Sequence, residues 1–150
     1  MGITEWKNGS YIISSDKSKI DVGEVHQFLS QSYWAENIPK KIVKKSIDNS
    51  LCFGVYYHEK QVGFARVISD FATFAYLADV FILPAERGKG LSKWLMQVIV
   101  EHPELQGLRR FTLATRDAHK LYSQFGFTVF DKPDRWMQRH EPDVYKNVRE

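Results

Sequence analysis

The sequence predicts one mixed α/β domain over residues 1–150, a mostly antiparallel central sheet flanked by helices. Three observations carry that expectation. Residues 51–58, 61–69 and 71–83 are successive β-rich runs with short turns between them, the pattern of an antiparallel meander. A helical pattern then starts at Leu91 and leads to another β-rich run at residues 108–114, the order of a parallel βαβ crossover. Finally, the 150 residues carry no internal repeat, low-complexity segment or linker, and suffice to bury one core without staples.

Composition narrows the class. With 43% apolar, 14% aromatic and 26% charged residues the chain reads as an ordinary globular one. A net charge of +3, with no basic stripe interleaved with aromatics, argues against a nucleic-acid partner. Cys52 is the only cysteine, so no intrachain disulfide can form, and a small buried strand residue is expected there. His26, His58, His102 and His140 lack metal-ligand spacing, and no metal is expected. There is no signal-peptide-like apolar run at the N-terminus and no membrane-length apolar segment. The expectation is a cytoplasmic protein with no membrane partner.

Taken in order, residues 11–14 are a short strand candidate. Asp21 is placed to cap a first helix, with Glu24 three residues on and an apolar stripe of Val22, Val25, Phe28 and Leu29. Tyr33 and Trp34 follow its end. Pro39 then opens a second helix running to about Asp48, with Ile42, Val43 and Ile47 facing inward. The meander comes next, its first turn at Glu59-Lys60, and Pro84 ends its third run because proline cannot donate to a ladder. Leu91, Trp94, Leu95, Val98 and Ile99 keep helical spacing until Pro103. Beyond the run at 108–114, Asp117 is expected to cap a short helix holding Leu121, Tyr122 and Phe125, which Gly126 stops. Residues 127–130 and 136–139 are the last strand candidates, separated by a turn at 131–135, and a loosely held charged tail begins at His140.

The stretch from Val80 to Ser92 concentrates the chemistry. Val80, Phe81 and Ile82 end a strand, Pro84 stops it, and Arg87-Gly88-Lys89-Gly90 precedes a helix that starts with Leu91-Ser92. First-turn amides without intrahelical partners, together with the helix dipole, favour an anion at that point. Gly88 and Gly90 permit positive φ and close backbone approach, while Arg87 and Lys89 add charge. A nucleoside-triphosphate loop would need glycine where Leu83 stands, and a dinucleotide fingerprint would need one at Lys93.

These residues resemble the signature of the GNAT family of N-acetyltransferases, Arg/Gln-x-x-Gly-x-Gly/Ala. Here it reads Arg87-Gly88-Lys89-Gly90-Leu91-Ser92, with Ser92 where Gly or Ala is usual. A second family feature, Ala-x-x-Leu-Tyr followed by Gly-Phe, is similar to Ala118-His119-Lys120-Leu121-Tyr122 and Gly126-Phe127. The resemblance implies the acyl-CoA N-acyltransferase fold and an enzyme that uses acetyl-CoA. It further implies that Val80, Phe81 and Ile82 offer backbone groups to the pantetheine arm. The segment Arg87, Gly88, Lys89, Gly90, Leu91 and Ser92 would wrap the pyrophosphate, and Tyr122 would lie near the thioester sulfur. Thr115 falls where many members carry an Asn that touches the cofactor. In the family, the strands on either side of the cofactor splay apart.

Acetyl transfer to an amine needs a neutral nucleophile, stabilisation of an oxyanion and a proton for the departing thiolate. A backbone N–H near Phe81 and Ile82 suits the second need. Tyr122, a phenol with an ordinary pKa of roughly 10, suits the third. Asp79, an acidic residue in an apolar strand just before the loop, is the first candidate for the base, with a structural carboxylate bonded to neighbouring backbone or to an Arg as the alternative. Tyr33, Trp34 and Tyr76, with Phe71 and Phe74, would suit an acceptor that has an apolar part. Arg66, Arg109, Arg110 and Arg116 stand either as partners of the adenosine phosphate or as surface cover. The expected partners are acetyl-CoA and an amine acceptor. The sequence leaves a homodimer open, and also a rival to the enzyme, a non-catalytic CoA-binding sensor or scaffold module.

Overall fold

A hairpin opens the chain in the computed structural model, which describes residues 2–146. Strands β1 (Glu5–Asn8) and β2 (Tyr11–Ser14) pair antiparallel with Asn8 opposite Tyr11, so Gly9 and Ser10 make a two-residue loop, Gly9 at φ 60°. Glycine opening a two-residue loop is a hairpin signal, and here it follows a strand, β1, that the expected elements did not include. Helix α1 (Val22–Ser30) is capped as expected, with Asp21 Oδ1 accepting from the Glu24 amide at 3.1 Å. Helix α2 (Lys40–Asp48) follows Pro39, and its Val43 and Ile47 are buried.

Strands β3 (Leu51–Tyr57) and β4 (Lys60–Ser69) form the next hairpin. Its turn falls at His58-Glu59, one residue earlier than the sequence suggested, because Tyr57 pairs with Lys60. His58 takes the left-handed conformation there, at φ 55°. Strand β5 (Phe74–Ile82) starts later than expected. Asp70 Oδ1 accepts from the amides of Ala72, Thr73 and Phe74 at 3.0, 2.8 and 3.1 Å, which folds the preceding residues into a side-chain-capped turn. Helix α3 (Leu91–Val100), strand β6 (Arg110–Leu113) and helix α4 (His119–Ser123) complete the order.

The six strands lie in the order β1-β2-β3-β4-β5-β6, with every pairing antiparallel except β5 with β6. On one face α1 and α2 bury Val25, Leu29, Val43 and Ile47 against Cys52, Phe64 and Phe81. On the other, α3 buries Leu91, Leu95, Met96 and Ile99 against Phe53, Val55, Val67 and Leu77. Each such side chain contributes about 1.5–3 kcal/mol by leaving water. Cys52 is fully buried, as expected, and burial pushes its thiol up to about 11.

Three expectations fail towards the C-terminus. Asp117 does not cap α4; the Thr115 hydroxyl accepts from the Ala118 amide at 3.0 Å instead. Residues 127–130 and 136–139 form no strand. Stacking organises this segment: Phe127 packs edge-on to Phe111, Phe130 stacks on Trp136 at 4.4 Å, and Pro133, which has no N–H, begins a 3-10 turn at Pro133–Arg135. The tail from His140 is not loose throughout, since Tyr145 packs beside α1 and α2; residues 147–150 lie outside those described.

Candidate active site

The site begins with one extra residue in β5. Phe64 pairs with Phe81 and Arg66 with Ala78, so three steps along β5 match two along β4. That is a β-bulge at Asp79-Val80, and Asp79 takes φ 57°, where a non-glycine residue is strained. The bulge resets the alternation. Phe81 turns to the α1–α2 face and stacks on Phe28 at 4.0 Å and 10°, while Ile82 joins the core under α3.

On its other side β5 is paired only in part. Strand β6 matches Phe74, Ala75, Tyr76 and Leu77, and the ladder ends there. From Ala78 to Ile82 this β5 edge has no strand partner among the described residues, although Leu83 N still donates to Val62 O at 2.8 Å on the β4 side. An extended backbone edge is thus left open between two parallel strands, with Val80, Phe81 and Ile82 along it.

That edge runs into the glycine turn. Gly88 and Gly90 have φ 80° and 79°, and Gly90 is the N-cap of α3 with no side chain capping it. A Cβ at either glycine would meet no atom within 4 Å. Conformation, not crowding, therefore requires glycine, and the loop forms an exposed cradle beneath the first-turn amides of Leu91, Ser92 and Lys93. An open cradle of N–H groups at a helix N-terminus fits a diphosphate. An extended strand edge beside it fits an arm carrying amides. These residues therefore suit acetyl-CoA as a ligand.

The two cations of the loop are already engaged. Arg87 Nε donates to Ile82 O at 3.0 Å, tying the loop to the end of β5. Lys89 Nζ donates to Glu86 Oε2 at 2.8 Å and to Tyr11 Oη at 3.2 Å, while Tyr11 donates to the same Glu86 oxygen at 2.7 Å. Lys89 and then Tyr11 hold the Glu86 carboxyl below its ordinary range, and Glu86 raises Lys89. This knot anchors the turn to β2, a contact that local sequence spacing cannot show.

The bulge residue has two partners, one from β4 and one from the segment between α1 and α2. Arg66 Nε donates to Asp79 Oδ2 at 2.9 Å, and Trp34 Nε1 donates to Asp79 Oδ1 at 3.0 Å. Arg66 also reaches Ser50 Oγ at 3.2 Å. Arg66, expected to meet the adenosine phosphate or to cover the surface, instead lies largely buried against Asp79, and this pairing is the Arg-bonded form of the structural alternative for that carboxylate. Trp34 carries Tyr33 with it, edge-on at 5.2 Å, and the Arg116 guanidinium lies 3.9 Å from the Tyr33 ring centre. Tyr76 sits in the paired part of β5, opposite Ile68 and Thr112. Phe71 and Phe74 do not join the Tyr33–Trp34 cluster: Phe74 begins β5, about 16 Å along the strand from Asp79.

Tyr122 projects from α4, half-buried, with its ring edge-on to Phe127 at 6.1 Å. Burial chiefly raises its phenol above the ordinary value, with smaller contributions from Tyr33 and Asp117. A cavity of about 840 Å³ runs along the outer side of β6 and touches Thr115, His119 and Tyr122. Another of about 530 Å³, lined by Asp16, Asp48 and Ser69, lies away from the glycine turn. Among the described residues no group of three or more His, Cys, Asp or Glu side chains is placed to hold a metal ion, and no helix is long and apolar enough to cross a membrane.

A mixed sheet opened between two parallel strands, with a glycine turn and helix N-terminus at the opening, defines an acetyltransferase architecture. Comparison with known proteins agrees. The acetyltransferase (GNAT) family profile matches residues 20–127. A Gibberella zeae protein described as an acetyltransferase is 32% identical over 142 residues, covering 79% of each chain. A crystal structure of a Xanthomonas campestris pv. campestris protein assigned to the GNAT family as an acetyltransferase is 53% identical, with TM-score 0.89, covering 91% of this chain and 97% of that one. A Clostridium acetobutylicum protein assigned as an acetyltransferase and solved with acetyl-CoA shares the fold at 15% identity and TM-score 0.64, over 87% of this chain and 94% of its own. The chain belongs to the GNAT family of acetyltransferases.

Proposed function

We propose that this protein is a cytoplasmic enzyme that moves the acetyl group of acetyl-CoA directly to a primary amine of a small-molecule acceptor. The observation that carries the reading is the unpaired β5 edge, Ala78 to Ile82, leading into the left-handed glycines at the N-terminus of α3. When bound, acetyl-CoA supplies an acetyl group activated as a thioester, so that a C–N bond forms as the C–S bond breaks. The chain's own groups then have separable tasks. Backbone N–H groups of the cradle and Arg87 hold the diphosphate, with Ser92 offering a hydroxyl where the family signature has none. A β5 amide near Phe81 stabilises the oxyanion. Tyr122 donates its phenolic proton to the departing thiolate.

Asp79 is the proposed proton acceptor for the incoming ammonium, acting through water. Arg66 and Trp34 use one acceptor position on each of its oxygens, and a carboxylate has roughly four in all. Two therefore remain for water or the amine. Calorimetric titration with CoA, combined with thiol release from acetyl-CoA over an amine panel, tests the reading. It predicts saturable binding and amine-dependent release. Absence of CoA binding would falsify it, and tight binding without release from any amine would favour a sensor module instead.

A further inference from the structure

We infer that the acceptor carries an anionic group, a carboxylate in the simplest case, as well as its amine, and that Arg116 recognises it. This rests on the transferase reading and names its substrate class.

The argument starts from charge balance at the mouth of the open sheet. Asp79 is neutralised by Arg66 at 2.9 Å within a largely buried pair, so that pair offers no net charge to an acceptor. Arg116 differs. Its side chain is 65% exposed, and the carboxylate within ion-pair range, Asp117, stands 3.8 Å away, beyond hydrogen-bond reach and itself 70% exposed. Asp117 is thus a loose, water-screened partner, and Arg116 keeps N–H donors that no hydrogen bond to that carboxylate engages.

It is also held in place. The guanidinium carbon lies 3.9 Å from the centre of the Tyr33 ring, a cation–π contact that holds the group over the ring, and the five N–H donors of a guanidinium suffice for a forked contact with a carboxylate. The location is specific. Arg116 follows β6 by three residues, just past Leu113, where the β5–β6 ladder stops. Tyr33 comes from the segment between α1 and α2. The Arg116–Tyr33 stack thus joins the two sides of the cleft, and Tyr33 is close enough to Tyr122 to help raise that phenol.

An acceptor entering here meets the faces of Tyr33 and Trp34, which are 54% and 43% exposed, the charge of Arg116 and the proton donor Tyr122. An amine on a planar apolar body with a carboxylate satisfies all three. An amine without an acid group leaves Arg116 with only its loose contact to Asp117, and a cationic one adds repulsion.

The experiment uses amine pairs that differ by one carboxylate: phenylalanine and phenethylamine, tryptophan and tryptamine, 4-(aminomethyl)benzoate and benzylamine. A hydrogen-bonded charge pair predicts roughly a ten- to hundredfold preference in kcat/KM for the carboxylated member of at least one pair. Arg116→Ala collapses that ratio towards one, and Arg116→Lys restores part of it. Calorimetry of the same compounds with the protein alone gives a readout independent of turnover, in which the carboxylated member binds more tightly and loses that advantage in Arg116→Ala. Equal kcat/KM across every pair, or an equal effect of Arg116→Ala on both members, overturns the proposal while the transferase reading stands. No turnover with any amine despite CoA binding removes both.

Discussion

Arg66 and Asp79 form an ion pair at 2.9 Å with side chains only 15% and 10% exposed, one residue on β4 and the other on the bulge of β5. Removing Arg66 leaves the Asp79 carboxylate with the Trp34 N–H but no countercharge in a largely buried site. Arg66→Met is expected to lower unfolding free energy by about 3–5 kcal/mol, whereas Arg66→Met with Asp79→Leu should cost less than the single change. Urea unfolding of the two variants decides this. Equal losses would mean that the pair is solvated in solution.

Gly90 turns the chain into α3 at φ 79° with free space around it. Gly90→Ala is therefore expected to cost about 1–2 kcal/mol through backbone strain alone, with no steric clash to add to it. It should weaken CoA binding as well, because relief of the strain moves the amides of the cradle. Parallel urea melts and CoA titrations measure both. A variant as stable as the parent would show that the loop relaxes readily, and unchanged affinity would show that the ligand lies elsewhere.

Much of this arrangement was legible in the residues. The strand, glycine turn and helix from Val80 to Ser92 are contiguous, and contiguous signals such as caps, glycines and prolines act through neighbouring backbone. Helix α1 was readable for the same reason, through Asp21 and Glu24. The bulge was not. It depends on how β4 and β5 register over many residues, and nothing near Asp79 announces an extra residue. Nor could spacing show that Tyr11 would tie down Lys89 from 78 positions away, or that Arg66 and Trp34 would meet on one carboxylate. At residues 127–139 the β-favouring side chains misled. Phe127, Phe130 and Trp136 pack against aromatic rings instead of entering a ladder.

Tyr122 is proposed to act in its protonated form, and burial raises its phenol above 10. The sign of the pH dependence follows: kcat should persist through neutral and mildly alkaline pH and fall only as pH rises through that elevated value. Tyr122→Phe keeps the ring against Phe127 and removes the proton. It is expected to lower kcat by roughly a hundredfold, with little change in CoA affinity. An unchanged kcat would exclude Tyr122 as the acid.

His102 makes stability itself depend on pH. Its ring is 3% exposed, packed against Trp6 and Phe53, and Nδ1 accepts from the Glu104 amide at 3.1 Å. The proton of the neutral ring then sits on Nε2, which has no hydrogen-bond partner among the described residues. Burial lowers the folded pKa below the ordinary 6.5. Between those two values the unfolded chain binds the proton and the folded one does not, so stability rises with pH in that window. His102 therefore places no penalty on folding above about pH 6.5. As pH falls from there towards the lower folded value, stability is lost progressively, and the loss levels off once both states are protonated. Urea midpoints between pH 7.5 and pH 5 should show that slope, and His102→Gln should flatten it. A slope that survives the substitution would assign the effect to another group.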